Sequence, residues 1–66
     1  MRKIAYESDI EVGDRYEDVL SYFENSRKKF KAQDNELTVF PNDRCCCTYY
    51  FDESGCHERS ESLYYG

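Results

Sequence analysis

The chain has 66 residues, with 14 acidic and 9 basic side chains and a formal net charge of −5 at pH 7. A chain of this length folds as one domain at most, residues 1–66, and has no room for a nucleotide-binding fold or a deep substrate cleft. We therefore expect a protein that is not an enzyme. The acidic balance disfavours direct binding to nucleic acid or anionic lipid, because both are recognised largely through lysine and arginine.

Hydropathy sets the expected location of the protein. The sequence contains no apolar run close to the roughly 20 residues that span a bilayer. Its first residues also lack the apolar stretch of a secretory signal. We therefore expect a cytoplasmic protein with reduced thiols and no membrane partner.

The first half of the chain predicts an arm and a helix. Residues 1–12 alternate apolar and polar side chains, which predicts a short strand or an extended arm. Residues 13–31 place apolar side chains at three- and four-residue spacing, which predicts one amphipathic helix. Asp14 is its predicted N-cap, with Glu17 completing a capping box. The basic sequence RKKFK falls at its predicted C-terminus, where it complements the helix dipole.

Residues 36–65 predict a three-stranded antiparallel meander. The strands are ELTVF, CCCTYYF and CHERSESLYY, separated by the turn sequences PND and DESG. The predicted fold is α+β, with one amphipathic helix packed on a three- to four-stranded antiparallel sheet. Residues 1–12 are the candidate for the extra strand.

Three consecutive cysteines, and a fourth beside the only histidine, raise the question of a metal or redox site. Alternate residues of a strand face the same way, so only Cys45 and Cys47 point together. Cys56 lies too far along the next strand for a disulfide with either. Cys56 and His57 are neighbours that face opposite ways, which disfavours a catalytic dyad and a tetrahedral zinc site. We predict an exposed His57, cysteines packed in the sheet, and no catalytic residue, metal or cofactor.

The seven tyrosines and four phenylalanines exceed what one small core behind a single helix can bury. Neighbouring tyrosines on a strand face opposite sides, so part of this set is expected to be exposed. Exposed tyrosine surrounded by acidic residues is typical of protein interfaces. The predicted partner-binding residues are four tyrosines and four acids: Tyr49, Tyr50, Tyr64, Tyr65, Asp52, Glu53, Glu58 and Glu61.

The segment IEVGDRYEDVLSYF, followed by CTYYFDESGC, resembles the helix-plus-sheet repeat of the SmpA/OmlA lipoproteins and the β-lactamase inhibitor protein family. The resemblance covers residues 10–65, and the matching positions are Ile10, Gly13, Val19, Phe51, Asp52 and Gly55. The chain departs from the family in its triple cysteine and in having ENSRKKFK where a Gly-x-Pro often closes the helix. The resemblance implies a non-enzymatic module that binds a protein through its sheet or loops.

Together these features predict a protein-binding module that inhibits a larger protein stoichiometrically by occupying a basic or nucleic-acid-binding groove. Phages and mobile elements use small acidic proteins in this way against host defence. The acids would steer the approach and the tyrosines would anchor it. Two alternatives remain open. One is a thiol- or zinc-based sensor that uses Cys45, Cys47, Cys56 and His57, and the other is a structural subunit of a homodimer.

Overall fold

The computed structural model describes residues 3–64. This range contains a short 3₁₀ helix (Glu7–Asp9), an α-helix α1 (Tyr16–Asn25) and four strands: β1 (Lys29–Gln33), β2 (Glu36–Asn42), β3 (Cys45–Phe51) and β4 (His57–Tyr64). The strands form one antiparallel sheet in the order β1-β2-β3-β4. This confirms the predicted α+β class with one helix on an antiparallel sheet. Neither helix in residues 3–64 has the length and apolar character to cross a membrane.

The helix is shorter than predicted at both ends. Arg15 is its N-cap residue, and the helix ends at Asn25, so the predicted range 13–31 is wrong. Asp14 Oδ2 instead accepts a hydrogen bond from the backbone N–H of Glu11 at 2.8 Å, and the predicted capping box is absent from this described segment. The last turn of α1, which lies wholly within the described residues, contains no basic side chain. The dipole argument for RKKFK is therefore wrong.

The fourth strand comes from the predicted end of the helix, and residues 3–12 contribute no strand. Phe30 fits a helical spacing in the sequence, but as part of β1 it lies opposite Val39 and packs against Phe23 of α1, with ring centroids 6.3 Å apart. A two-residue turn joins β1 to β2, and Asp34 in this turn has φ 51°. Aspartate tolerates this left-handed backbone better than most residues, so the segment AQDNE closes a hairpin.

The helix and the N-terminal arm cover one face of the sheet. Residues 3–12 contain no strand and form an arm with the 3₁₀ helix at its centre. The core between these layers is a cluster of buried apolar side chains from the arm, α1 and the two central strands: Ile4, Val19, Phe23, Leu37, Val39, Tyr49 and Phe51. The meander from residue 36 is confirmed through residue 64, and residue 65 lies outside the described range.

His57 attaches the arm to the start of β4. Its side chain is 5% exposed, so the prediction of an exposed histidine is wrong. Its Nδ1 lies 2.9 Å from the carbonyl oxygen of Glu11, and its Nε2 lies 3.1 Å from the carbonyl oxygen of Arg59. The backbone of His57 donates to the carbonyl of Asp14 at 2.7 Å and accepts from the N–H of Gly13 at 2.9 Å. The histidine therefore has a structural role.

Candidate protein-binding surface

The face of the sheet away from α1 is called the outer face here, and Cys46, Thr48 and Tyr50 of β3 lie on it. In residues 3–64, α1 and the core cluster lie on the opposite face. The strand register places Arg59, Glu61 and Leu63 of β4 beside these three residues. At the centre of the outer face, the side-chain hydroxyls of Thr38 and Thr48 form a hydrogen bond of 3.1 Å. The outer face is therefore a mixed polar and apolar surface built on rigid strands.

Three side chains of the outer face form a closed group, which we call the Tyr50 cluster: Tyr50, Arg59 and Glu61. Arg59 lies opposite Tyr50 in the register, with its guanidinium carbon 4.0 Å from the centre of the tyrosine ring. The Tyr50 hydroxyl donates to Glu61 Oε2 at 3.3 Å, and Arg59 Nη1 forms an ion pair with Glu61 Oε1. Partial burial and the Glu61 carboxylate raise the pKa of Tyr50.

The contacts within the Tyr50 cluster hold its side chains in one arrangement. Side chains that are already ordered lose less conformational entropy when a partner binds. Tyrosine and arginine are also the residues that most often dominate binding energy at interfaces. Arg59 is not among the residues predicted from the sequence, because its contact with Tyr50 depends on the β3–β4 register.

The neighbouring strand β4 adds an exposed edge to this surface. Residues 58–64 are all exposed, and β4 is the last strand of the sheet. Near its start, Arg15 bridges to Cys56 and Gly13 donates to His57. Beyond this point the outer edge of β4 pairs with no other strand of residues 3–64. Such an edge presents backbone donors and acceptors to a partner.

The predicted tyrosines are divided between different environments. Tyr50 lies on the outer face, whereas Tyr64 is 80% exposed and lies on the other face, opposite Cys45. Tyr65 is outside the described residues. Because β4 is an edge strand, only a partner that wraps around this edge would touch both Tyr50 and Tyr64.

Tyr49 belongs to the core. It is 7% exposed, its ring packs against Phe23 with centroids 5.5 Å apart, and its hydroxyl lies 3.4 Å from Glu7 Oε1. Burial raises the pKa of Tyr49, and the nearby Cys47 and Glu7 raise it further. A partner could reach this ring only if the sheet and arm separated, so we leave Tyr49 out of the proposed surface.

The predicted acids also differ in role. Asp52 Oδ1 accepts hydrogen bonds from the backbone N–H of Cys56 at 3.0 Å, from the N–H of Ser54 at 2.9 Å and from the Ser54 hydroxyl at 3.1 Å. These bonds lower the pKa of Asp52, the one from Cys56 most strongly. Asp52 therefore orders the β3–β4 turn. Glu53 and Glu58 are exposed in and after this turn, and remain accessible to a partner.

The cysteines lie in two places. Cys45, Cys46 and Cys47 line a cavity of about 350 Å³ with Tyr64, while Cys56 lies beyond the β3–β4 turn at the other end of β4. Cys46 is buried, with 6% exposure. No disulfide joins the four cysteines, and in residues 3–64 no three His, Cys, Asp or Glu side chains are grouped to hold a metal ion.

The chain matches no protein-family model, no curated protein and no solved structure. The resemblance to the SmpA/OmlA lipoproteins and the β-lactamase inhibitor protein family stays a prediction from the motif. Function must therefore be inferred from the surface itself, and above all from the Tyr50 cluster and the edge of β4.

Proposed function

We propose that the protein is a non-enzymatic binding module, which inhibits a larger protein stoichiometrically by docking the outer face and edge of β4 on a basic surface of that protein. The observation that carries this proposal is the Tyr50 cluster. An aromatic ring and a guanidinium group are held in place beside an exposed edge strand. This arrangement combines an ordered anchor with backbone groups that a partner can bind.

The charge of this side of the molecule favours a basic partner. Glu36 lies opposite Tyr50 in the β2–β3 register, and Glu53 and Glu58 are exposed toward the turn. The charge of Arg59 is balanced by Glu61 within the cluster. Around Tyr50 and β4 the remaining charge is negative, which attracts a basic surface and speeds association with it. Lys29 and Lys31 lie on the same face but at its opposite edge, on β1.

A groove that binds nucleic acid is a basic surface of this kind. Carboxylates along one edge of a small protein can take the place of phosphates there, so that binding of the module excludes nucleic acid. We propose this mode of inhibition, in the cytoplasm, as a means by which a phage or mobile element counters the defence of its host. Tyr64 would add contacts from the other side of β4.

The first experiment is affinity capture from cell extract, followed by reconstitution with the purified partner. Isothermal titration calorimetry should give a 1:1 complex, and added DNA or RNA should compete with the module. Tyr50→Ser should weaken binding by about 2 kcal/mol, or roughly 30-fold in Kd, because it removes a central anchor. Tyr6→Ser is the matched control, since Tyr6 is 70% exposed on the arm and lies outside the cluster.

Two outcomes would overturn the proposal. One is a Tyr50→Ser variant that is folded by circular dichroism and binds the partner as tightly as the natural chain. The other is self-association through the same face, which sedimentation over a hundred-fold range of concentration would reveal as a dimer lost in Tyr50→Ser. The hypothesis of a homodimer subunit would then replace the hypothesis of an inhibitor.

A further inference from the structure

The opposite edge of the sheet is basic, although the net charge of the protein is −5. Arg27, Lys29 and Lys31 are exposed at and before β1, and we call them the basic strip. They follow the end of α1, so they do not complement the dipole of its last turn. Within residues 3–64 none of the three forms an ion pair, whereas Lys28 between them pairs with Glu7 at 3.0 Å.

The backbone of β1 is accessible on one side. β1 pairs only with β2 among the described strands, so its other edge is open. Lys29 and Lys31 are alternate residues on the outer face, opposite Phe40 and Thr38. Ala32 is exposed on the other face of β1. A strand added at this edge would therefore meet two lysines on one of its faces and a small apolar side chain on the other.

A groove of about 520 Å³ extends this surface around the end of the sheet. Arg27, Lys28 and Lys29 line one part of it, and Phe40 and Pro41 of β2 line another, with Asp43 as the acidic member of the lining. Phe40 is 36% exposed and offers an apolar contact beside the lysines. The groove and the open edge together form a continuous surface for an extended chain.

We propose that β1 is a docking edge for an extended acidic peptide segment of another protein. The segment would add a fifth strand to the sheet and place alternate carboxylates beside Lys29 and Lys31. Charge complementarity carries this proposal, because cross-strand pairs of opposite charge stabilise a sheet and like charges destabilise it. A nucleic acid fits less well, since its phosphate charge is denser than that of an acidic peptide and is repelled more strongly by a protein whose net charge is −5.

This site is distinct from the Tyr50 cluster. Two strands separate β1 from β4, which corresponds to about 14 Å at the usual strand spacing of about 4.8 Å. An acidic segment at β1 and a basic protein at β4 can therefore bind at the same time. The module would then join two partners of opposite charge.

The test uses the full chain and a fluorescent peptide in which glutamate and threonine alternate. Fluorescence anisotropy should show saturable binding that weakens as salt is added. Lys31→Glu should reduce the affinity at least five-fold, because it places like charges opposite each other. Lys3→Glu makes the same charge change on the arm, outside β1 and the groove, and should leave binding unchanged.

Three results would overturn the inference. The first is equal binding of a peptide of the same composition with its glutamates and threonines in separate blocks. The second is an equal loss of binding in Lys31→Glu and Lys3→Glu, with both variants folded by circular dichroism. That result would show that binding depends only on the net charge of the protein. The third is tighter, Lys31-dependent binding of a single-stranded oligonucleotide, which would assign the strip to nucleic acid.

Discussion

Replacing His57 by phenylalanine tests whether this buried histidine joins the N-terminal arm to the sheet. The imidazole ring packs against Tyr49 and Phe51, with centroids 5.6 Å and 5.7 Å from theirs. A phenyl ring keeps an aromatic group in this position. It removes the two contacts between ring nitrogens and the carbonyl oxygens of Glu11 and Arg59. The variant therefore isolates the polar contribution of the histidine.

The expected decrease in the free energy of unfolding follows from the loss of these two contacts. Both partners are carbonyl oxygens, and a neutral imidazole donates from one of its nitrogens only. At least one hydrogen bond is lost, worth about 1 kcal/mol, and its carbonyl is left buried against an apolar ring at a cost of about 1–3 kcal/mol. The free energy of unfolding should fall by roughly 2–4 kcal/mol. That is a large part of the roughly 3–10 kcal/mol typical of a domain of 66 residues.

Urea denaturation followed by circular dichroism measures this change. Ser60→Ala is the control, because Ser60 is exposed on the same strand and its loss should cost no more than about 0.5 kcal/mol. We also expect faster hydrogen exchange at the Gly13 amide, which donates to His57, as the arm detaches. A loss below about 1 kcal/mol, with Gly13 still protected, would refute the reasoning.

Two further predictions concern the turns. Asp34→Val should lower the free energy of unfolding by about 1–2 kcal/mol, because a β-branched residue is strained at φ 51°. Asp34→Gly should not lower the free energy of unfolding, because glycine adopts this backbone conformation without strain. Thermal melts of the two variants check both expectations. The pKa of Asp52 is lowered in the folded state, so its stabilisation is present above the ordinary carboxyl pKa of about 3.9 and is lost as the pH falls through the folded pKa. Melting temperatures measured from about pH 6 to about pH 2 should therefore fall less steeply for Asp52→Asn, and superimposable profiles would contradict this role.

The end of the helix marks the limit of what local pattern can predict. Phe30 continues the spacing of Val19 and Phe23 in the sequence, so the pattern alone favours a longer helix. In the fold, Phe30 reaches the same core from β1, because pairing with β2 provides backbone hydrogen bonds over five residue pairs. A contact between distant segments outweighs a weak local preference here.

The candidate surface was predictable only in part for a similar reason. The alternation of side chains along β3 correctly separates Tyr49 from Tyr50, but it does not say which of the two faces the helix. A shift in the β3–β4 register after Tyr50 decides that Arg59 lies opposite this tyrosine. Such a shift depends on the conformation of the turn and of the bulge. The alternation of side chains along a strand does not predict that conformation.

The sequence by itself determined the fold class, the existence of the helix, the meander from residue 36 and the acidic character of the chain. These properties follow from composition and from periods of two and 3.6 residues, which act over short distances. Only the tertiary structure decided that Tyr49 and His57 are buried, that β1 replaces the end of the helix, and that Tyr50 meets Arg59. Burial and strand register are set by contacts between segments far apart in the chain. These contacts form only when the helix and the arm pack against the assembled sheet.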